Sequence, residues 1–145
     1  MSFSHQFIFN PGRWVGEGRI TFSSSSEMLR FYTSWVLNPE EDSKIACNQR
    51  VEMQGAPEVV ENNFSIYDIS KSKFGIDLEN DLIGKVIGTG VIDEKTIAWE
   101  FRGNAGLEGF EVYELQENGD YMLHAEYASD QFRTIIDGRV WKKST

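Results

Sequence analysis

Apolar and polar residues alternate along almost the whole chain, and a sustained helical period is nearly absent, which predicts half-buried β-strands. Between Trp14 and Phe22 one face carries Trp14, Gly16, Gly18, Ile20 and Phe22, and the other carries Arg13, Val15, Glu17, Arg19 and Thr21. After a polar break at 23–26, Leu29, Phe31, Thr33 and Trp35 alternate with Met28, Arg30, Tyr32 and Ser34. Further apolar faces follow at Ile45, Cys47, Gln49, Val51 and Met53, then at Phe64 and Ile66 with Asp68 in phase. Phe74, Ile76 and Leu78, and later Ile97, Trp99 and Phe101, continue the series. Residues 110–117, 120–128 and 132–142 complete it.

Turn residues punctuate these runs: Asn38-Pro39-Glu40-Glu41-Asp42, Gly55-Ala56-Pro57, Glu79-Asn80-Asp81, Asp93-Glu94-Lys95, Gly103-Asn104-Ala105-Gly106, Asn118-Gly119 and Ser129-Asp130. About ten short strands at the roughly 8–12-residue spacing of all-β folds, joined by short loops, predict an up-and-down meander. The expected fold is a single antiparallel β-barrel of about 8–10 strands, one domain over residues 1–145. A helix fits at 3–9 or 26–32, and neither would change the class.

One run of residue types nearly recurs. Gly12-Arg13-Trp14-Val15-Gly16-Glu17-Gly18-Arg19-Ile20 is echoed half a chain length later by Gly84-Lys85-Val86-Ile87-Gly88-Thr89-Gly90-Val91-Ile92. Both lie inside alternating strand and lack the third glycine and helix start of a dinucleotide fingerprint. They read instead as bends that let a strand coil around a barrel of two similar halves, with Trp14 matched by Val86.

Composition narrows the function classes. The chain has 145 residues, 40% of them hydrophobic and 26% charged, as in soluble globular proteins. Its net charge of −9 disfavours nucleic acid and anionic membranes as partners. Cys47 is the only cysteine, so neither an internal disulfide nor a cysteine-based zinc site can form. No stretch approaches the roughly 20 apolar residues of a membrane-spanning helix, and the first ten residues lack a signal-peptide pattern, so the expectation is a cytoplasmic protein. Asp77, Glu79 and Asp81 alternate but lack the glycine and terminal glutamate of a calcium loop, and no metal is expected.

Gly12-Arg13-Trp14 on the first strand and Asp137-Gly138-Arg139-Val140-Trp141 on the last make the chain resemble the calycins, the superfamily of lipocalins and fatty-acid-binding proteins. The resemblance implies a barrel whose closed end is sealed by Trp14 beneath Arg139. A guanidinium over an indole would gain about 0.5–2 kcal/mol there. A lipocalin Thr-Asp-Tyr motif and a disulfide are both missing, which is closer to the fatty-acid-binding or nitrobindin-like branch. By the same resemblance Arg133 is a candidate anchor for a ligand carboxylate, against the plainer reading of a surface arginine paired with a neighbouring acid.

Asn118-Gly119 predicts a two-residue hairpin turn with φ > 0 at both positions. That turn pairs Glu117 with Asp120, Leu115 with Met122, Tyr113 with His124 and Glu111 with Glu126, so Tyr113, His124, Glu111 and Glu126 would share a face. If inward, this set suits acid–base work or haem ligation through His124. The opposite face, with Phe110, Val112, Leu123, Ala125 and Tyr127, is more apolar and competes for the interior. His5, near the terminus, is expected to be mobile.

The leading expectation is a small intracellular barrel that binds an apolar or amphipathic small molecule. Phe31, Trp35, Gln49, Val51, Met53, Phe64, Ile66, Trp99 and Tyr113 would line it, with His124 and Arg133 as polar contacts. No catalytic residue is assigned, and the ligand, any cofactor and the oligomeric state stay open. Two alternatives stand beside it: a barrel lyase, isomerase or haem protein using His124, and a structural or interaction barrel filled solid with side chains.

Overall fold

The computed structural model describes residues 5–23, 25–104, 107–128 and 133–143. Ten strands follow one another: β1 (Gly12–Phe22), β2 (Met28–Leu37), β3 (Lys44–Met53), β4 (Val59–Tyr67), β5 (Lys73–Asn80), β6 (Gly84–Ile92), β7 (Thr96–Asn104), β8 (Leu107–Leu115), β9 (Tyr121–Ala128) and β10 (Arg133–Lys142). Each pairs antiparallel with its sequence neighbours, and β1 pairs with β10 from Trp14↔Lys142 to Phe22↔Thr134. The sheet closes into an up-and-down barrel, which leaves no free edge to recruit another chain.

No described residue is helical. The stretch proposed as a helix at 26–32 enters β2, where alternation outweighs the weak helical pattern. Gly103 and Asn104, expected in a loop, extend β7, whose pairing with β8 shifts register between Phe101 and Asn104. The turn expected at Ser129-Asp130 lies outside the described residues.

In the ring of strands β1 and β6 stand on opposite walls, so the glycine echo marks equivalent places on two sides of the barrel. Gly18, Gly88 and Gly90 leave room for rings as well as for close backbone, whereas Gly16 faces Thr33 and Val140. Gly18 pairs with Phe31, Gly88 with Phe101 and Gly90 with Phe74, each glycine directly across from an inward aromatic. A Cβ on Gly90 would stand 2.1 Å from the Phe74 ring, and one on Gly18 2.7 Å from Phe31. The same device recurs outside the echo, where Tyr127 lies against Gly109.

The end of the barrel where odd-numbered strands begin is packed solid. The segment before β1 folds into it, placing Phe7 and Ile8 in full burial. The Phe7 ring lies 5.2 Å from Trp14, 5.2 Å from Trp35, 5.0 Å from Tyr113 and 5.5 Å from Tyr121. His5, expected to be mobile, is buried there: Nε2 lies 2.6 Å from the Asp93 carbonyl and Nδ1 2.6 Å from the Tyr121 hydroxyl. A carbonyl only accepts, so Nε2 donates to Asp93, and Nδ1 meets the Tyr121 hydroxyl.

Trp14 is at this closed end, but Arg139 does not cover it. Val140 is the inward residue of β10, and strict alternation turns Arg139 outward. Its guanidinium stacks 4.5 Å over Trp141 and faces Glu17 and Asp120 at 3.6 and 3.8 Å. The base is sealed by Phe7 in place of the expected arginine.

Candidate functional site

Above the plug, a layer of aromatic rings crosses the barrel: Trp35 stacks on Phe64 at 5.4 Å, Phe64 meets Trp99 at 5.9 Å, and Trp99 stacks on Tyr113 at 5.0 Å. This layer is a floor. Over it lies a chamber of about 250 Å³, open at the mouth and walled mainly by Ile20, Phe31, Val51, Val60, Phe64, Leu78, Leu107, Leu123 and Ile136. The barrel is therefore filled in one half and hollow in the other.

A few polar groups interrupt the apolar wall. Asn62 Nδ2 donates to Gln49 Oε1 at 2.9 Å, and Asn80 Nδ2 donates to Asn62 Oδ1 at 2.8 Å. Asn80 Oδ1 in turn accepts from the Leu82 and Ile83 amides at 2.9 Å, capping the β5–β6 turn. This amide ladder has a structural cause. Backbone pairing of β4 with β5 runs only from Asn63↔Glu79 to Tyr67↔Gly75, so nearer the mouth the side chains join the two walls.

Among the described residues that line the chamber, Glu111 on β8 and Tyr127 carry the titratable side chains. Tyr113 donates to the Glu111 Oε1 at 2.6 Å, and Tyr127 donates to its Oε2. Burial pushes the Glu111 carboxyl above the usual range, opposed by these two phenols and by the neighbouring Trp99 indole. Both phenols are held well above their ordinary value, first by burial and then by the negative charge beside them. They remain donors. The Trp99 N–H is buried and completes no hydrogen bond, although it stands near enough to Glu111 and Tyr127 to influence both.

Phe31, Gln49, Val51 and Phe64 line the chamber, as does Thr33. Trp35, Ile66, Trp99 and Tyr113 are buried in or below the floor. Met53, half-buried at the end of β3, lies outside the lining, and Asp68 is exposed beyond β4.

His124 and Arg133 are on the outer surface. The hairpin pairs Tyr113 with Leu123, Val112 with His124 and Phe110 with Glu126, one residue away from the expected register. Its turn has three residues: Gln116 O accepts from Gly119 N, and Gln116 N donates to Asp120 O. Only Gly119 has positive φ, at 92°, the form with a type I turn and a glycine bulge. A one-residue slip exchanges the faces of one strand relative to the other. Tyr113 and Glu111 thus point inward while His124 and Glu126 point outward.

On that outer face His124 Nδ1 lies 2.6 Å from Asp137 and Nε2 2.9 Å from Glu126, and Arg133 is 3.9 Å from Glu126. A carboxylate anchor at Arg133 or a haem ligand at His124 would need those side chains inside. Tyr127, assigned to the other face, becomes an inner residue, and Asn62 and Asn80 add polar groups the alternation did not single out.

No family model matches the chain, and no curated protein matches it. Among solved structures it is similar to an S-type phycobiliprotein lyase from Guillardia theta, with a TM-score of 0.73 over 100% of this chain and 94% of that one. The two sequences are 11% identical. The likeness is one of fold. It agrees with a lipocalin-like barrel and assigns no residue of the chamber a role.

Proposed function

We infer that the protein binds a small, predominantly apolar molecule in the hollow half of the barrel, with Glu111 and Tyr127 meeting its polar end. The observation that carries this reading is a carboxyl set at the base of an open apolar chamber. Burying a carboxyl is costly, and a barrel selected only for stability would fill that position with an apolar side chain. A few convergent polar groups in an apolar concavity are instead the usual make-up of a ligand site. The calycin resemblance of the two end strands belongs with this reading, as does a single-domain barrel.

The volume bounds the occupant. About 250 Å³ is just under the roughly 300–1,000 Å³ of common ligand clefts, so the ligand is small or leaves part of itself in the mouth. Apolar contact contributes about 25 cal/mol per Å² removed from water, which is enough for micromolar binding of a compact hydrophobe.

The test is a titration with the neutral fluorophore 1-aminoanthracene, whose emission rises on entering an apolar site. Saturable enhancement is expected from the wild type and its loss from Leu123→Trp, which fills the chamber. A folded wild-type protein that gives no enhancement would sink the reading.

A second reading, acid–base catalysis by Glu111 on a ligand in the same chamber, is favoured by its raised pKa beside a phenol. Chemical change of a co-purified ligand that Glu111→Gln abolishes, with binding retained, would establish it. Unchanged turnover in that variant would exclude it.

A further inference from the structure

Three features of charge meet at the chamber. Among the described residues lining it there is no Lys, Arg or His, and its acidic group is Glu111. Each Glu111 oxygen accepts one phenol, Oε1 from Tyr113 and Oε2 from Tyr127. A carboxylate has about four acceptor sites, so two remain. Beside the mouth, a groove that shares Val60, Asn80 and Leu82 with the chamber is lined by Glu58, Glu61, Glu79 and Asp81. Its one cation, Arg50, lies 3.7 Å from Glu52.

We propose that the chamber selects molecules carrying an amine at the end of a small apolar body and discriminates against carboxylates. The proposal rests on the reading that the chamber is a ligand site, and it names the chemistry that site takes. An ammonium or N–H donor reaching the floor completes the acceptor capacity of Glu111, forming a charge-assisted hydrogen bond in a poorly hydrated setting. A carboxylate entering the same place meets another carboxyl, two phenols already committed to it and no cation; the uncommitted donor nearby, the Trp99 N–H, is buried. The acidic groove adds a long-range preference of the same sign, strongest at low salt. This is the reverse of the anion anchor that the fatty-acid-binding resemblance implies, and the outward turn of Arg133 is its structural cause.

The preference depends on pH through one group. The titratable side chains facing Glu111 are Tyr113 on its own strand and Tyr127 on β9; β7 brings the neutral Trp99, and the remaining lining residues do not ionise. Both tyrosines stay protonated, so of the groups facing one another at the floor only Glu111 changes charge as the pH is lowered, and its protonation removes the acceptor charge there.

The experiment displaces 1-aminoanthracene with n-octylamine, n-octanol and n-octanoate. Octylamine is expected to compete at concentrations about tenfold or more below octanoate, the ratio that one charge-assisted hydrogen bond supplies. The advantage of octylamine over octanol, which does not titrate, should shrink as the pH is lowered and vanish in Glu111→Gln. Octanoate equalling octylamine in the wild type overturns the proposal, as does an amine preference that survives Glu111→Gln. Should that variant not fold, the wild-type order and its pH dependence decide alone, since an amine advantage constant with pH excludes Glu111 as its source. Binding of octanol without amine preference defeats this inference and leaves the ligand site standing. Failure of the fluorophore to bind defeats both.

Discussion

At the scale of single residues, the side chains with the most distinctive environments sit on opposite faces of one hairpin. Glu111 faces inward and answers to burial, whereas His124 faces outward and answers to charge. The His124 imidazole is held above its ordinary pKa first by the hydrogen bond to Asp137, then by Glu126, with burial opposing. Both partners accept, so the ring is held as a cation. The folded pKa lies above the unfolded value of about 6.5, so the stabilisation is fully present below that value and is lost as pH rises through the folded one. With 43% of the side chain exposed, screening limits it to under about 1 kcal/mol. Thermal midpoints of wild type and His124→Asn should therefore differ below about pH 6.5 and converge above the raised pKa. A gap that widens with pH would contradict the assignment. Gly90 makes a second test at this scale. Its missing Cβ is the space occupied by the buried Phe74 ring, so Gly90→Ala should cost about 1–3 kcal/mol in urea unfolding. An unaltered midpoint would show that the ring has somewhere else to go.

At the scale of strands and turns, alternation was sufficient to place the inward faces of β1, β2, β3, β5 and β7, because a period of two survives without knowledge of neighbours. The face from Phe31 to Trp35 and that from Ile45 to Met53 point inward as their apolar residues require. Register was not legible by the same means. Asn118-Gly119 fits both a two-residue turn and a three-residue turn with a bulge, and the difference reverses which residues of β8 and β9 meet. A second signal was present in the sequence: Gly109 and Tyr127 repeat the glycine–aromatic pairing of Gly18 with Phe31. Aligning that pair gives the observed register and brings Glu111 and Tyr127 to the same face. The turn itself is testable. A Cβ on Gly119 would meet nothing within 4 Å, so any penalty is purely conformational. Gly119→Ala should lower stability by about 1–2 kcal/mol, and Gly119→Asn by less, since asparagine tolerates a left-handed backbone. Equal stability of all three proteins would place the φ > 0 residue elsewhere in the loop.

At the scale of the whole molecule, the division into a solid half and a hollow half depends on the segment before β1, which has no strand pattern and no pairing partner in the sheet. Its sequence gives only a short apolar run, Phe7-Ile8-Phe9, with nothing to say that it turns inward. In the structure Phe7 touches four aromatic rings that come from β1, β2, β8 and β9, and His5 fastens the segment to Tyr121 and Asp93. Tyr113 belongs at once to this plug, to the floor and to the Glu111 site, so the packing below sets the position of the carboxyl above. Phe7→Ala should therefore cost about 3–5 kcal/mol, the range for emptying a buried aromatic site. The void left behind would be apolar and dry, and such cavities take up benzene. Added benzene should raise the unfolding midpoint of Phe7→Ala and leave the wild type unmoved. A variant as stable as the wild type would mean that the segment merely rests on a barrel already closed by Trp14 and Tyr121. A destabilised variant indifferent to benzene would mean that the barrel collapses over the gap, in which case Tyr113 must move and the Glu111 chamber should lose its affinity for 1-aminoanthracene in parallel.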